Sequence, residues 1–139
     1  MEYIRKGNNI VLRFDKGDEI TEQIKLLAKK ENISVASITG IGGTDDFTLG
    51  VFDVTLKKYN EFTYDTTHEI TNITGNITSM NGEVYTHIHM TCAGQNGTAV
   101  GGHLLRCVIS LTAEIFITII DVKVDRKRNE ELQINTLDF

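Results

Sequence analysis

Four residues, Met80-Asn81-Gly82-Glu83, constrain this chain more tightly than any other short stretch. Asn-Gly at the centre of a two-residue loop is the strongest local signal for a β-hairpin. Here it joins a strand-like segment, Ile70 to Ser79, to a second one, Val84 to Cys92. A further turn signal follows at Ala93-Gly94-Gln95-Asn96-Gly97, and a third apolar stretch runs from Thr98 to Val108. The three segments read as an antiparallel meander with the 84–92 strand in its interior.

Side chains alternate between the faces of a strand. Val84, Thr86, Ile88, Met90 and Cys92 then form a mostly apolar face, and Tyr85, His87, His89 and Thr91 form the other. His87 and His89 become same-face neighbours about 7 Å apart at the backbone. An odd-numbered loop centred on Asn96 places His103 opposite His89 on that face; an even-numbered loop places it on the other. A bulge at Gly101-Gly102 offers a second way to aim His103. Three neutral imidazoles suit Zn²⁺, with Fe²⁺ and Ni²⁺ as alternatives, and three protein ligands leave a coordination position open. Cys92 falls on the opposite face and is not counted as a ligand. The competing reading is a polar sheet face whose histidines make unrelated hydrogen bonds.

His87-Ile-His89, the turn after it, Gly101-Gly102-His103-Leu-Leu and Thr112-Ala113-Glu114-Ile115 together resemble the core of the PPC domain, the "plants and prokaryotes conserved" domain. The resemblance extends to a helix near Asp18 to Lys30 and to the glycines of Gly40 to Gly43, covering nearly the whole chain. It implies an α+β fold on a mainly antiparallel sheet with one or two packed helices, a homotrimer, and a metal held by the three matching histidines. In plants the domain follows AT-hook DNA-binding motifs, so a DNA-associated or regulatory role is also implied.

The remaining chain supplies scaffold signals. Asn9 to Asp15 alternates as a strand, and Ile20, Ile24, Leu27 and Ala28 follow at helical spacing, with Asp18 as the expected N-cap and Lys29-Lys30 at the C-terminal end. Ile33 to Ile38 and Phe47 to Leu56 read as separate strands. The glycines between them lack both the dinucleotide fingerprint and the P-loop Lys-Ser/Thr, so they read as a tight turn or a bulged strand. Lys57 to Tyr64 reads as a polar turn running into a short strand. His68, without a spaced partner, is expected at the surface or in a turn. Leu111 to Ile120 is a nearly continuous apolar run, expected to be buried on both faces by a helix or another subunit. Glu114 interrupts it, either near the metal or in an ion pair with Arg106. Val122 to Glu131 reads as a solvated turn before a last strand, Leu132 to Phe139.

At 139 residues, 40% hydrophobic and 24% charged, the chain fits one domain spanning residues 1–139. The absence of a long apolar run or a signal-like start makes cytoplasmic location the expectation, with no membrane contact. Cys92 and Cys107 lack Cys-x-x-Cys spacing and read as buried free thiols. A net charge of −5 argues against a surface devoted to polyanions, and a chain with no proline cannot contain the Arg-Gly-Arg-Pro core of an AT-hook. Three roles stay open: DNA association; a metal-dependent hydrolase or lyase acting on a small-molecule ligand, with Glu69 and Glu114 as candidate general bases; and a structural or sensing metal site.

Overall fold

The computed structural model describes residues 1–139 as nine strands and one helix. In chain order these are β1 (Glu2–Lys6), β2 (Asn9–Asp15), α1 (Ile20–Lys30), β3 (Ala36–Asp53), β4 (Lys58–Tyr64), β5 (His68–Met80), β6 (Glu83–Gly94), β7 (Ala99–Ile119), β8 (Asp125–Asn129) and β9 (Ile134–Asp138). Seven strands form one antiparallel sheet in the order β1-β2-β7-β6-β5-β3-β4, and β3 also pairs with β7. That extra pairing closes β3, β5, β6 and β7 on themselves. The α+β class is therefore as expected, with a single helix.

The Asn81-Gly82 hairpin forms as its residues dictate. Both have positive φ, 54° and 81°, the combination a two-residue turn needs to match strand twist. The turn sets Met80 opposite Glu83, and each pair further along keeps that register as far as Asn72 opposite Thr91, beyond which a bulge shifts it before Ile70 meets Cys92. Core residues from every long strand meet α1: Ile10, Leu12, Phe14, Ile38, Phe47, Ile73, Ile88, Met90 and Ile115 cluster with Ile20, Ile24 and Leu27. Cys92 and Cys107 are both buried and unpaired, and burial pushes each thiol up to about 12.

Several details depart from expectation. The helix cap is Glu19, whose carboxylate accepts from the Glu22 N–H at 2.7 Å and from the Cys107 N–H at 2.9 Å. Asp18 instead accepts from the Asp15 N–H at 2.9 Å. The longer Glu19 side chain wins because it serves the helix terminus and β7 at once. The two strands expected around Gly40 to Gly43 are one continuous β3, interrupted by register shifts next to Gly42. A Cβ at Gly42 would lie 2.5 Å from the Ala113 Cβ, so only glycine admits β7 this closely. Likewise 98–108 and 111–120 are parts of one strand, β7.

Within a single chain the C-terminal half of β7 is buried on one face only. Ala113, Ile115 and Ile117 are core, whereas Leu111 is 73% and Phe116 50% exposed. His68 is buried, at 8% exposure: its ring packs against Phe47 and Tyr64, and its Nδ1–H donates to the Thr66 carbonyl at 2.7 Å. The stretch expected to be a solvated turn, Val122 to Glu131, contains strand β8 with Arg126 buried in it, and β8 pairs with β9, which lies within the last strand expected over Leu132 to Phe139.

Candidate metal centre

β6 positions two of the three histidines and β7 the third. Ala93 pairs with Ala99 and His89 with His103, so the connecting loop is centred on Asn96. An odd loop keeps facing residues on one side of the sheet, which brings His103 across from His89. No bulge is needed. The possible donor nitrogens of His87, His89 and His103 all lie within 4.8 Å of one another. The three rings sit 5.2 to 5.5 Å apart, centroid to centroid. Cys92 lies in the core on the other face.

Burial sets the protonation of the cluster. Desolvation, followed by the charges of His87 and His89, pulls His103 down to about 4. His87 is also lowered, first by burial and then by the Arg126 and His89 charges. His103 is thus neutral at physiological pH, which metal ligation requires. Its Nδ1 is the only buried side-chain nitrogen or oxygen without a hydrogen-bond partner. An unsatisfied group of this kind costs about 1–3 kcal/mol. A cation accepted at that nitrogen removes the cost, so the residues fit a metal ion.

His89 is exposed while its two companions are half-buried, which leaves one side of the cluster open to solvent. The principal clefts of the single chain lie elsewhere, so access runs across an open sheet face. Around the triad stand residues that sequence reasoning did not single out. The Tyr59 ring of β4 is 5.2 Å from His103, and burial raises its phenol pKa, with Tyr85 adding to the effect. Asn76 on β5 is directly across from His87. The Arg126 guanidinium reaches over from β8, donates to Asn76 Oδ1 at 2.9 Å and lies 4.6 Å from the Tyr85 ring centre. Asn76 could have been found by extending the hairpin register; Arg126 carried no local signal.

Glu69 and Glu114 are not brought to the histidines. They line a different cleft, with Gly42, Gly43 and Leu111. Strand β7, which carries both Glu114 and His103, separates the two by eleven residues, roughly 36 Å of contour at the usual rise. Arg106 does not pair with Glu114 either, since Asp46 engages its guanidinium in a two-pronged ion pair at 2.5 and 2.8 Å. Glu114 stays exposed on the outer face of the single chain, opposite Arg13 and Ile41.

The Plants and Prokaryotes Conserved (PCC) domain matches residues 1–121. The chain belongs to that family. Among solved structures, a Bacteroides thetaiotaomicron protein provisionally described as DNA-binding superposes with a TM-score of 0.96 at 33% identity, covering 99% of this chain and 96% of its own. A plant- and prokaryote-conserved protein from Pyrococcus horikoshii shares 30% identity over 92% of this chain and 90% of its own, with a TM-score of 0.85. A metal-containing protein from Archaeoglobus fulgidus superposes at 0.86 with 25% identity, over 96% of this chain and 94% of its own. No curated protein matches the chain. No helix is long and apolar enough to cross a membrane.

Proposed function

We propose that this PCC-domain protein is a metalloprotein in which His87, His89 and His103 hold one divalent transition-metal ion, Zn²⁺ in preference to Fe²⁺ or Ni²⁺, and offer its remaining position to a small molecule. The observation that carries this reading is the buried, partnerless Nδ1 of His103 inside a cluster whose donor nitrogens lie within 4.8 Å of one another. The metal-containing description of the Archaeoglobus relative agrees with it. An ion held by three imidazoles supplies a Lewis-acidic position that polarises a carbonyl or lowers the pKa of a bound water. This chain's own residues wall and orient that position. Tyr59 packs beside His103, and Asn76 and Arg126 flank His87. Tyr59 is a titratable candidate for proton transfer beside His103, whereas Glu69 and Glu114 line a different cleft.

Elemental analysis of tag-free protein prepared without chelator tests the assignment. About one transition-metal ion per chain is expected in the parent, and none in His103→Ala with its circular dichroism unchanged. Metal retained by that variant overturns the ligand set.

The relatives described as DNA-binding favour a second reading, association with nucleic acid. Charge weighs against it. Of 14 lysines and arginines, Arg5, Arg13, Lys29, Arg106 and Lys127 are engaged by carboxylates and Arg126 is buried, and the whole set is outnumbered by 19 aspartates and glutamates. A gel-shift assay with duplex DNA at low salt separates the two. We further propose a homotrimer. Ile4, Val11 and Phe116 form a cross-strand row of exposed apolar side chains, and Ile41 and Leu111 extend the same kind of surface, which a subunit interface would cover. Two buried free thiols suit a reducing compartment, in keeping with a cytoplasmic location.

A further inference from the structure

Arg126 is the only arginine of the chain that is buried, with 6% of its surface exposed. Its Nε–H donates to Thr78 Oγ1 at 2.8 Å, Nη1 to the Asn135 carbonyl at 3.1 Å, and Nη2 to Asn76 Oδ1 at 2.9 Å. Every one of these acceptors is neutral. None of the chain's ion pairs involves Arg126. The carboxylate of the adjacent Asp125 is turned away, accepting from the Arg126 backbone N–H at 2.9 Å and from Ser79 Oγ at 3.2 Å. Removing a cation from water without a counter-ion is costly, and proteins seldom keep such a group unless something completes it.

The location of this charge indicates what completes it. Asn76 faces His87 and Thr78 faces Tyr85 in the β5–β6 register, so the guanidinium lies over the same outer face as the histidine triad, one residue pair from His87. With three neutral imidazoles as ligands, a divalent ion there would bring two further positive charges to a cluster that no Asp or Glu joins. A guanidinium carries five N–H donors, and three hydrogen bonds leave two uncommitted. The stack on Tyr85 and the anchoring bonds to Thr78 and Asn135 hold the fork in one orientation.

We propose that the site selects a small oxyanion, of the carboxylate class, which occupies the open metal position and is held at its other end by Arg126. The inference rests on the metal reading above. Arg126 belongs to the β8–β9 hairpin, beyond the family-matched residues 1–121, so this hairpin would supply the selectivity of the centre. Arginine suits the role better than lysine because its planar fork meets two oxygens of a carboxylate or phosphate at once.

The test uses full-length protein loaded with Co²⁺, whose visible absorption reports changes at the metal. Sodium acetate and inorganic phosphate are titrated separately into the parent, Arg126→Gln and Arg126→Lys. One Co²⁺ per chain is expected in all three, with acetate saturating the spectral change in the parent and binding about tenfold more weakly to Arg126→Gln. Phosphate producing the change where acetate does not would overturn the carboxylate assignment. Equal acetate affinity in parent and Arg126→Gln at one Co²⁺ per chain overturns the role of Arg126 and leaves the metal centre standing. Failure of the parent to take up Co²⁺ overturns the metal centre and this inference with it. Should Arg126→Gln not fold, Arg126→Lys decides: it keeps the charge and loses the fork, so undiminished acetate affinity sinks the proposal.

Discussion

Lowering the pH of metal-free protein should cost stability through one residue above others, His103. Its folded pKa is pulled from 6.5 to about 4, chiefly by burial. The folded state therefore resists a proton that the unfolded chain accepts readily. Between those two values the unfolded state binds more protons, so unfolding free energy falls as pH falls. The loss begins near pH 6.5 and is complete below pH 4. At pH 4.5 the unfolded imidazole is about 99% protonated and the folded one about a quarter, a difference worth roughly 2.5 kcal/mol. Unfolding entropies typical of domains this size convert that to a fall in Tm of about 8 °C. Carboxylates also titrate in this range, so the measurement is a difference of differences. Chelator-treated parent and His103→Asn are melted at pH 7.5 and at pH 4.5. The parent should lose about 2.5 kcal/mol more than the variant between the two pH values. Equal losses would refute the reasoning, because a buried, neutral His103 cannot be indifferent to acid. Added Zn²⁺ should protect the parent at neutral pH and lose that effect as protons compete for the same nitrogens.

Three further outcomes follow from specific contacts. Gly75→Ala would place a Cβ 2.2 Å from the His87 carbonyl oxygen, and forcing β5 away from β6 at that point should cost about 1–3 kcal/mol in urea titrations and weaken metal affinity with it; an unchanged midpoint would mean that the strands are not so close. Glu19→Ala removes both a helix cap and the partner of the Cys107 N–H, so roughly 2–4 kcal/mol should be lost, against about 1 or less for Asp18→Ala, with the reverse order restoring Asp18 as the cap. Phe116→Glu puts a charge in the exposed apolar row beside Val11, so light scattering should show a trimeric parent and a monomeric variant with the same circular dichroism; a parent that is monomeric at micromolar concentration would sink the trimer.

What could be read from the sequence was whatever local rules dictate. Asn81-Gly82 determined the hairpin, the hairpin determined register, and parity then placed His87, His89 and Cys92 on their proper faces without tertiary information. The same arithmetic about Asn96 left two loop parities open for His103, and the odd one is the one that forms. Where several partners compete for one group, the sequence was silent. Asp18 and Glu19 are both reasonable caps, and only the nearby Cys107 N–H favours the longer side chain. Glu114 looked buried because its neighbours are apolar, yet a strand with one face open exposes it. His68 looked superficial because it lacked a spaced partner, but burial depends on what lies across the sheet, here Phe47 and Tyr64.

Arg126 shows most sharply why a charge cannot be read from its immediate surroundings. Flanked by Asp125, Lys127 and Arg128, it has the sequence context of a solvated turn. Asp125 and Lys127 do point outward, Lys127 pairing with Asp138 across the terminal hairpin, and Arg128 is exposed near the end of β8. Strand alternation alone turns Arg126 inward, toward Thr78 and Asn76, and so toward His87. Alternation accounts for the direction but not for the burial, since a lysine or threonine would fill the position at lower desolvation cost. A fixed guanidinium beside a divalent ion on the three imidazoles would give that cost a use: the two together would create a local demand for negative charge on a chain that is acidic overall. A ligand that meets this demand binds where both positive centres can share it, and a neutral molecule of the same shape gains only half of the arrangement.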